Sequence, residues 1–315
     1  MSAKLKEKKI FVAGHNGLAG SAIVRRLNKE DCTVLTANKK NLNLLNTNQV
    51  DDFFFNMKPD IVINAAGKVG GIAANIKFPL EFIQDNITIQ DNIFRSSYKY
   101  NVKKLIFLGS SCIYPTTSKQ PIKEEYFMKG DLEKTNEFYA LAKIIGVKTC
   151  EAYKKQFNCN FISIMPTNLY GPNDNFNSET SHVPAALIDR FHKAKLSGES
   201  EVVIWGDGKP YREFMHVDDF ADACIFILKN YNDLNIINVG TGKDISIKDF
   251  AYLIREIVDF NGKILFDRTK PIGAKKKLLD ISKLKSLGWT SKIDLKSGIR
   301  NYYEWYLTNL NSLRR

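Results

Sequence analysis

The run Lys9-Ile10-Phe11-Val12-Ala13-Gly14 reads as a short buried strand, and it passes directly into Gly14-x-x-Gly17-x-x-Gly20. The pattern over 21–27 then reads as a helix. Glycines spaced in this way, between a strand and a helix, let backbone turn tightly and approach a pyrophosphate. The helix N-terminus then offers free N–H groups and a positive dipole end. A chain that opens like this is committed to a strand–turn–helix unit that neighbouring units must complete.

The alternation continues. Residues 33–36, 60–66 and 105–108 read as strands, 49–57 and 79–100 as helices, all with short connections. This order predicts a parallel sheet with helices on both faces and right-handed crossovers. Ligands are then expected at the carboxyl ends of the strands, where Gly14, Ala66 and Ser110 fall. Residues 160–165 add a strand, after which Pro172 and the polar run 173–180 break the pattern. The chain is expected to leave here for a second lobe: a helix from 181 to 195, a strand at 202–206, a turn over 207–214, and a helix opening at His216 with Asp219 as its cap. Residues 236–240 read as a strand rejoining the sheet, and the remainder as helix, strand and helix. The expected fold is therefore α/β: a Rossmann-type doubly wound parallel sheet with a smaller C-terminal α/β substrate-binding lobe. The expected division is 1–173 plus 214–241 for the dinucleotide and 174–213 plus 242–315 for the substrate.

A length of 315 residues suits such a two-part molecule, and 44% hydrophobic with 25% charged residues is a globular balance. No apolar run is long enough to span a bilayer, and the N-terminus carries no apolar signal region, so a cytoplasmic enzyme is expected. The net charge of +12 is spread along the chain and accompanies no nucleic-acid module, so neither nucleic acid nor membrane is an expected partner. Five cysteines, an odd number without a Cys-x-x-Cys, argue against a disulfide framework and a metal site. Only Cys112 has a chemically suggestive position.

That position lies in the segment from Lys104 to Lys143. A strand ends in Gly109-Ser110-Ser111-Cys112, and a later helix carries Tyr139 and Lys143 four residues apart, on one face. A free phenol has a pKa near 10; a fixed ammonium favours the phenolate. With the Ser110 hydroxyl on the same substrate oxygen, the three make a proton relay for carbonyl reduction. A lone Tyr-x-x-x-Lys is ordinarily an exposed helix face; the strand-end serine and the glycine turn set this one apart. After the second strand, Ala37-Asn38-Lys39-Lys40 offers no acid for the ribose 2′-hydroxyl of NAD. Lys39 and Lys40 suit the 2′-phosphate of NADP, so NADP(H) is expected. By itself His182 reads as structural. Lysines 270, 275, 276 and 277 read equally as a solvated face or a phosphate site.

These residues together resemble the extended short-chain dehydrogenase/reductase family, over nearly the whole chain. The resemblance rests on the glycine turn, Ala65-Ala66-x-Lys68-Val69-Gly70-Gly71-Ile72, Gly109-Ser110-Ser111-Cys112-Ile113-Tyr114-Pro115 and Thr135-Asn136-Glu137-x-Tyr139. It continues in Met165-Pro166-Thr167-Asn168-Leu169-Tyr170-Gly171-Pro172, Ser181-His182-Val183 and Arg212-Glu213-Phe214-x-His216-Val217-Asp218-Asp219. The Ser-Ser-Cys and Ser-His-Val elements mark the subgroup that reduces and epimerises GDP-4-keto sugars. The resemblance implies Ser110, Tyr139 and Lys143 for 4-keto reduction, and Cys112 with His182 for proton exchange at C3 and C5. It implies a cofactor site of Gly14, Asn16, Gly17, Leu18, Gly20, Lys39, Lys40, Ala65, Ala66, Tyr139, Lys143, Pro166, Asn168, Leu169 and His182. For the GDP-sugar it implies Ser111, Asn168, Val183, Leu187, Arg190, Trp205 and Arg212. It also implies a homodimer formed through the long helices after the third and fourth strands.

Two departures bear on specificity. Asn16 stands where the family has an arginine for the 2′-phosphate, with Lys39 or Lys40 to compensate. Asp189 beside Arg190, where the family is more basic, suggests a changed sugar such as a GDP-4-keto-heptose. Two other readings stand beside the leading one: a C4-reductase acting on a sugar epimerised elsewhere, and a non-catalytic dinucleotide sensor.

Overall fold

The computed structural model describes residues 5–270 and 273–315. Strand β1 (Lys8–Ala13), helix α1 (Leu18–Leu27), β2 (Cys32–Leu35), α2 (Thr47–Met57) and β3 (Ile61–Asn64) open the chain. Helices α3 (Ile72–Lys77) and α4 (Pro79–Lys99), strand β4 (Lys104–Leu108), α5 (Glu137–Phe157) and β5 (Phe161–Pro166) follow. Then come β6 (Asn168–Tyr170), α6 (Val183–Ser197), β7 (Glu201–Trp205), β8 (Tyr211–His216), α7 (Val217–Asn230) and β9 (Ile237–Val239). The chain closes with β10 (Asp244–Ser246), α8 (Ile247–Val258), β11 (Lys263–Asp267), β12 (Lys276–Lys277), α9 (Ser282–Ser286) and α10 (Leu295–Thr308).

Six strands form one parallel sheet in the order β2-β1-β3-β4-β5-β9. The chain steps outward from β1 to β2, then returns across β1 to β3. The carboxyl ends of β1 and β3 therefore flank the crevice where such sheets bind ligands. Strand β4 is buried along its whole length, as a strand covered by helices on both faces must be. Alternate residues feed two cores. Ile10, Val12, Ile63, Ile106 and Leu108 pack on one side with Phe220 and Ala221 of α7 and Ile23 of α1. Phe11, Val62, Leu105 and Phe107 pack on the other with Phe54 of α2, Phe94 of α4 and Val147 of α5. A third, aromatic-rich core holds the C-terminal lobe together: Tyr170, Phe176, Phe191, Phe250, Tyr302 and Tyr306 are all buried in it. Among the described residues no helix is long and apolar enough to cross a membrane.

The strand–helix alternation is as the sequence predicts, and β9 does rejoin the sheet beside β5. Two local expectations fail. The second half of 207–214, expected as a turn, is the start of β8, which pairs with β10, β12 and β6. Asp219 does not cap α7: the cap is His216, whose ring Nδ1 accepts from the Asp218 N–H. Asp219 instead lies buried one turn inside, and its carboxylate accepts from the backbone of Lys292 and Ile293, tying α7 to the C-terminal lobe.

Candidate active site

The carboxyl ends of β1, β3, β4 and β5 share one rim, and the chemistry-bearing residues collect there. Gly14 leaves β1 at φ +80°, and a Cβ on it would lie 2.7 Å from the Ala66 backbone. Any side chain here would push apart the first turn and the end of β3. A Cβ at Gly20 would run into the Gly14 carbonyl. The turn is therefore held tight while α1 begins without a side-chain cap and without an acid in its first turn. Its leading N–H groups remain available to an anion. Beside it, Asn16 Nδ2 donates to Asn38 Oδ1 at 2.9 Å, and His15 Nε2 lies 3.2 Å from the same oxygen. The loop after β2 is pinned to the glycine turn in this way, with Lys39 and Lys40 exposed next to the pin.

At the end of β4 the backbone enters a single 3-10 turn, residues 111–113, capped by Ser110, whose Oγ accepts from the Cys112 N–H at 3.2 Å. Ser111 and Cys112 are buried on this turn. The Tyr139 phenol faces Ser110, which draws its pKa down against a larger upward push from burial. Phe82 of α4 meets the Tyr139 ring edge-on at 6.0 Å. Lys143 Nζ donates to the Leu108 carbonyl at 2.8 Å and sits 5.7 Å from the centre of the Tyr139 ring. Lys143 is thereby anchored to the last residue of β4, one helical turn from Tyr139, and burial lowers its own pKa to about 8.

His182 caps α6, the first helix of the second lobe. The residues just before it are held against the Gly70-Gly71 pair that follows β3: the Gly71 N–H donates to the Thr180 carbonyl at 3.0 Å, and a Cβ on Gly71 would come within 2.7 Å of the Ser181 carbonyl. Side Asn86 fixes the same loop, accepting from the Lys68 N–H and donating to the Lys68 carbonyl, both at 3.0 Å. Burial lowers the His182 pKa and raises that of Cys112, so at neutral pH the two stand as neutral imidazole and neutral thiol. Lys277 on β12 is the strongest charge pulling the Cys112 pKa back down, ahead of Ser110 and Lys143.

Lys277 is the residue that reading the sequence left undecided. It pairs in register with Arg212 across β12 and β8, and its other charged neighbour is Glu133. Arg212 in turn donates to the Tyr211 carbonyl at 2.8 Å and faces Glu133. Its neighbour Glu213 is fully buried and accepts from the backbone of Thr241, Gly242 and Leu279. One carboxylate thus ties β8 to the loop after β9 and the segment after β12. A carboxylate flanked by arginine in sequence gave no hint of this, since the partners lie 28 to 66 residues away. Asn168 Nδ2 donates to the Glu213 carbonyl at 2.8 Å, which aligns β6 with β8. Half-buried Pro166 and Leu169 flank it at the end of β5 and on β6.

In the second lobe, Arg190 donates to the Val203 carbonyl of β7 and is partly withdrawn from water. Trp205, two residues along β7 on the same strand face, is 46% exposed with Lys270 5.6 Å above its ring. Val183 is 39% exposed at the start of α6. Leu187, on the same helix, is 3% exposed and packs in the lobe's aromatic-rich core. Asp189 is engaged within the lobe. Its carboxylate accepts from Tyr306 at 2.9 Å and pairs with Lys193, anchoring α10 to α6, so it carries no argument for a changed substrate.

A dinucleotide-binding turn, a strand-end serine and a Tyr-x-x-x-Lys helix on one rim of a parallel sheet define a nucleotide-dependent oxidoreductase of the extended short-chain type. The family model for the NAD dependent epimerase/dehydratase family matches residues 10–240, and the chain belongs to that family. Within it, the chain is 53% identical to GDP-L-fucose synthase 1 of Arabidopsis thaliana, over 97% of this chain and 95% of that one. Among solved structures it is similar to a GDP-6-OMe-4-keto-L-xylo-heptose reductase from C. jejuni, with TM-score 0.93, 37% identity, and coverage of 98% and 100%. It is similar also to a GDP-L-fucose synthetase from Naegleria fowleri bound to NADP, with TM-score 0.93, 30% identity, and coverage of 100% and 98%.

Proposed function

We propose that this chain is an NADPH-dependent reductase of a GDP-4-keto sugar that also epimerises C3 and C5, yielding a nucleotide sugar of the GDP-L-fucose type. The observation that carries this reading is the convergence of Ser110, Cys112, Tyr139 and Lys143 at the end of β4, with Lys277 behind the thiol. Residues 1–173 and 214–241 serve the cofactor; 174–213 and 242–315 serve the sugar nucleotide. The glycine turn and the uncapped α1 fit a pyrophosphate, and Lys39, Lys40 and Asn16 lie where a 2′-phosphate is met. Bound NADPH supplies the hydride for C4.

The rest is the work of side chains. Ser110 and Tyr139 hold the 4-keto oxygen, and while it is held the protons at C3 and C5 are acidic. A neutral imidazole is a competent base and a neutral thiol a competent acid, so His182 removes a proton and Cys112 returns one. The enolate charge that forms in between rests on the Ser110 and Tyr139 donors. On reduction Tyr139 gives its proton to the new C4 hydroxyl. Asn168, Arg190 and Arg212 with Trp205 bind the GDP portion, the arginines pairing with diphosphate. The protein acts as a homodimer through α4 and α5, which leave Leu80, Tyr98, Phe138, Ile145 and Phe157 exposed.

Incubation with GDP-4-keto-6-deoxymannose and NADPH should consume the cofactor and place solvent deuterium at C3 and C5. Cys112→Ser should lose the deuterium at one or both centres. The likeness to the heptose reductase favours one second reading, reduction of a GDP-4-keto-heptose epimerised elsewhere. NADPH consumption with a heptose substrate and no deuterium uptake would establish that reading. No turnover with either sugar would end both.

A further inference from the structure

We infer that Arg314, in the C-terminal tail, is a cofactor-binding residue that supplies a positive charge to the pyrophosphate seated on the glycine turn. The inference rests on the cofactor assignment above. The second glycine of the turn, Gly17, is the one whose missing side chain lets a pyrophosphate approach the backbone. Two atoms lie within 4 Å of the place its Cβ would take: the Gly14 carbonyl oxygen at 3.4 Å and Arg314 Nη1 at 3.9 Å. A guanidinium from the far end of the chain therefore borders the space over the first turn of α1.

The tail is built to stay there. Leu313 packs on the aromatic core of the second lobe. The Arg314 carbonyl accepts from the Phe176 N–H at 2.7 Å, and Nη1 donates to the Asn173 carbonyl at 3.3 Å. Asn173 itself, in the left-handed region at φ 67°, donates from Nδ2 to Ser21 Oγ on α1 at 3.1 Å. The loop that carries the tail is thus latched to the helix whose N-terminus receives the anion. Of the five guanidinium N–H donors, one is used by the Asn173 carbonyl, and the buried Asp174 is the nearby acid. The planar fork matches two phosphate oxygens, which an ammonium cannot do. Asn16, beside this place, has no charge to offer.

Fluorescence titration with NADPH and with NADH tests the assignment directly. Arg314→Ala should raise the Kd of both dinucleotides by the same factor, about tenfold, because the pyrophosphate is common to them. Its Kd should also depend less on salt than that of the unaltered protein. Arg314→Gln keeps a donor for the Asn173 carbonyl and so separates anchoring from charge: the free protein should melt as before while the Kd rises as in the alanine variant. Arg314→Lys should recover part of the loss. Arg315→Ala, next door, should change neither Kd. An unchanged Kd in Arg314→Ala, a loss confined to NADPH, or an equal loss in Arg315→Ala would each overturn the assignment. If the unaltered protein binds neither dinucleotide, the proposed function falls with it; if it binds both and the Arg314 variants match it, only this inference falls.

Discussion

Strand β4 has a buried ammonium at each end, and the two do different things. Lys104 starts the strand and is 5% exposed; Lys143, donating to the carbonyl of the last residue of the strand, is 4% exposed. Burial lowers the pKa of both to about 8. The two shifts share their direction and main cause, and what separates the ammoniums is the number of acceptors. Lys104 Nζ donates to the carbonyls of Leu228 and Tyr231 at 2.7 and 2.6 Å and to Asn232 Oδ1 at 2.9 Å. All three of its protons are used, at the C-terminal end of α7 where carbonyls lack partners and a cation is favoured. Lys143 uses one proton on Leu108 and lies over the Phe107 ring at 4.9 Å. A saturated buried cation is a staple; an unsaturated one at the carboxyl rim is a place for a ligand.

The comparison breaks most visibly in catalysis. Tyr139→Phe and Lys143→Met should each lower kcat by about a hundredfold to ten-thousandfold, the range for a positioned proton donor and its support. Neither should lower the melting temperature. Lys143→Met should leave it level or raise it, because relief of a charge whose burial costs about 3 kcal/mol offsets the one carbonyl, Leu108, left without its donor. A parallel fall in melting temperature and rate would mean that Lys143 is a structural group like Lys104.

The opposite rim should respond in the opposite way. Lys104→Met strands two backbone carbonyls at about 1–3 kcal/mol each, while Asn232 Oδ1 keeps its bond from Asn160 Nδ2, and the loss is offset in part by the relief of the buried charge. A net loss of up to about 3 kcal/mol is expected by urea unfolding, with kcat within about twofold of the unaltered enzyme. Loss of activity without loss of stability would dissolve the distinction between the two rims.

The sequence carried one of these lysines openly and hid the other. Lys143 was legible because a helical four-residue spacing from Tyr139 follows a strand-end serine, and the sheet order alone brings both to one rim. Lys104 looked like an ordinary flanking charge before an apolar run, since the carbonyls that hold it belong to Leu228 and Tyr231, more than a hundred residues away. Glu213, Lys277 and Arg314 escaped for the same reason: their partners are set by how the second lobe folds back on the sheet. The parallel sheet, by contrast, is written in local patterns of apolar runs and turns, and its elements fell within a few residues of expectation. Where the sequence misled, at Asp189, a departure from the family beside Arg190 was taken for a change of substrate, and the carboxylate instead holds Tyr306 and Lys193 inside the lobe.

The smallest effect is also the one that separates the two lysines without changing stability. Both have folded pKa values depressed from 10.5 to about 8. Below about 8 both states of the protein hold the proton, and the folded state bears the full cost. Between about 8 and 10.5 the unfolded chain holds protons that the folded one has released, so stability rises with pH, and each lysine contributes with the same sign. Stability against pH therefore cannot tell them apart. Activity can, because in the relay proposed above only Lys143 must be charged, its ammonium favouring the Tyr139 phenolate. The kcat/KM for NADPH, which reports the free enzyme, should fall about tenfold per pH unit above about 8. Lys104→Met should keep that limb unchanged. Lys143→Arg, always protonated, should flatten it at a reduced plateau. The other groups of the cleft that titrate in the alkaline range are Lys277, lowered by burial, and Cys112, raised by burial. A limb that survives in Lys143→Arg would belong to one of them, and the unsaturated ammonium at the end of β4 would lose its place in the reaction.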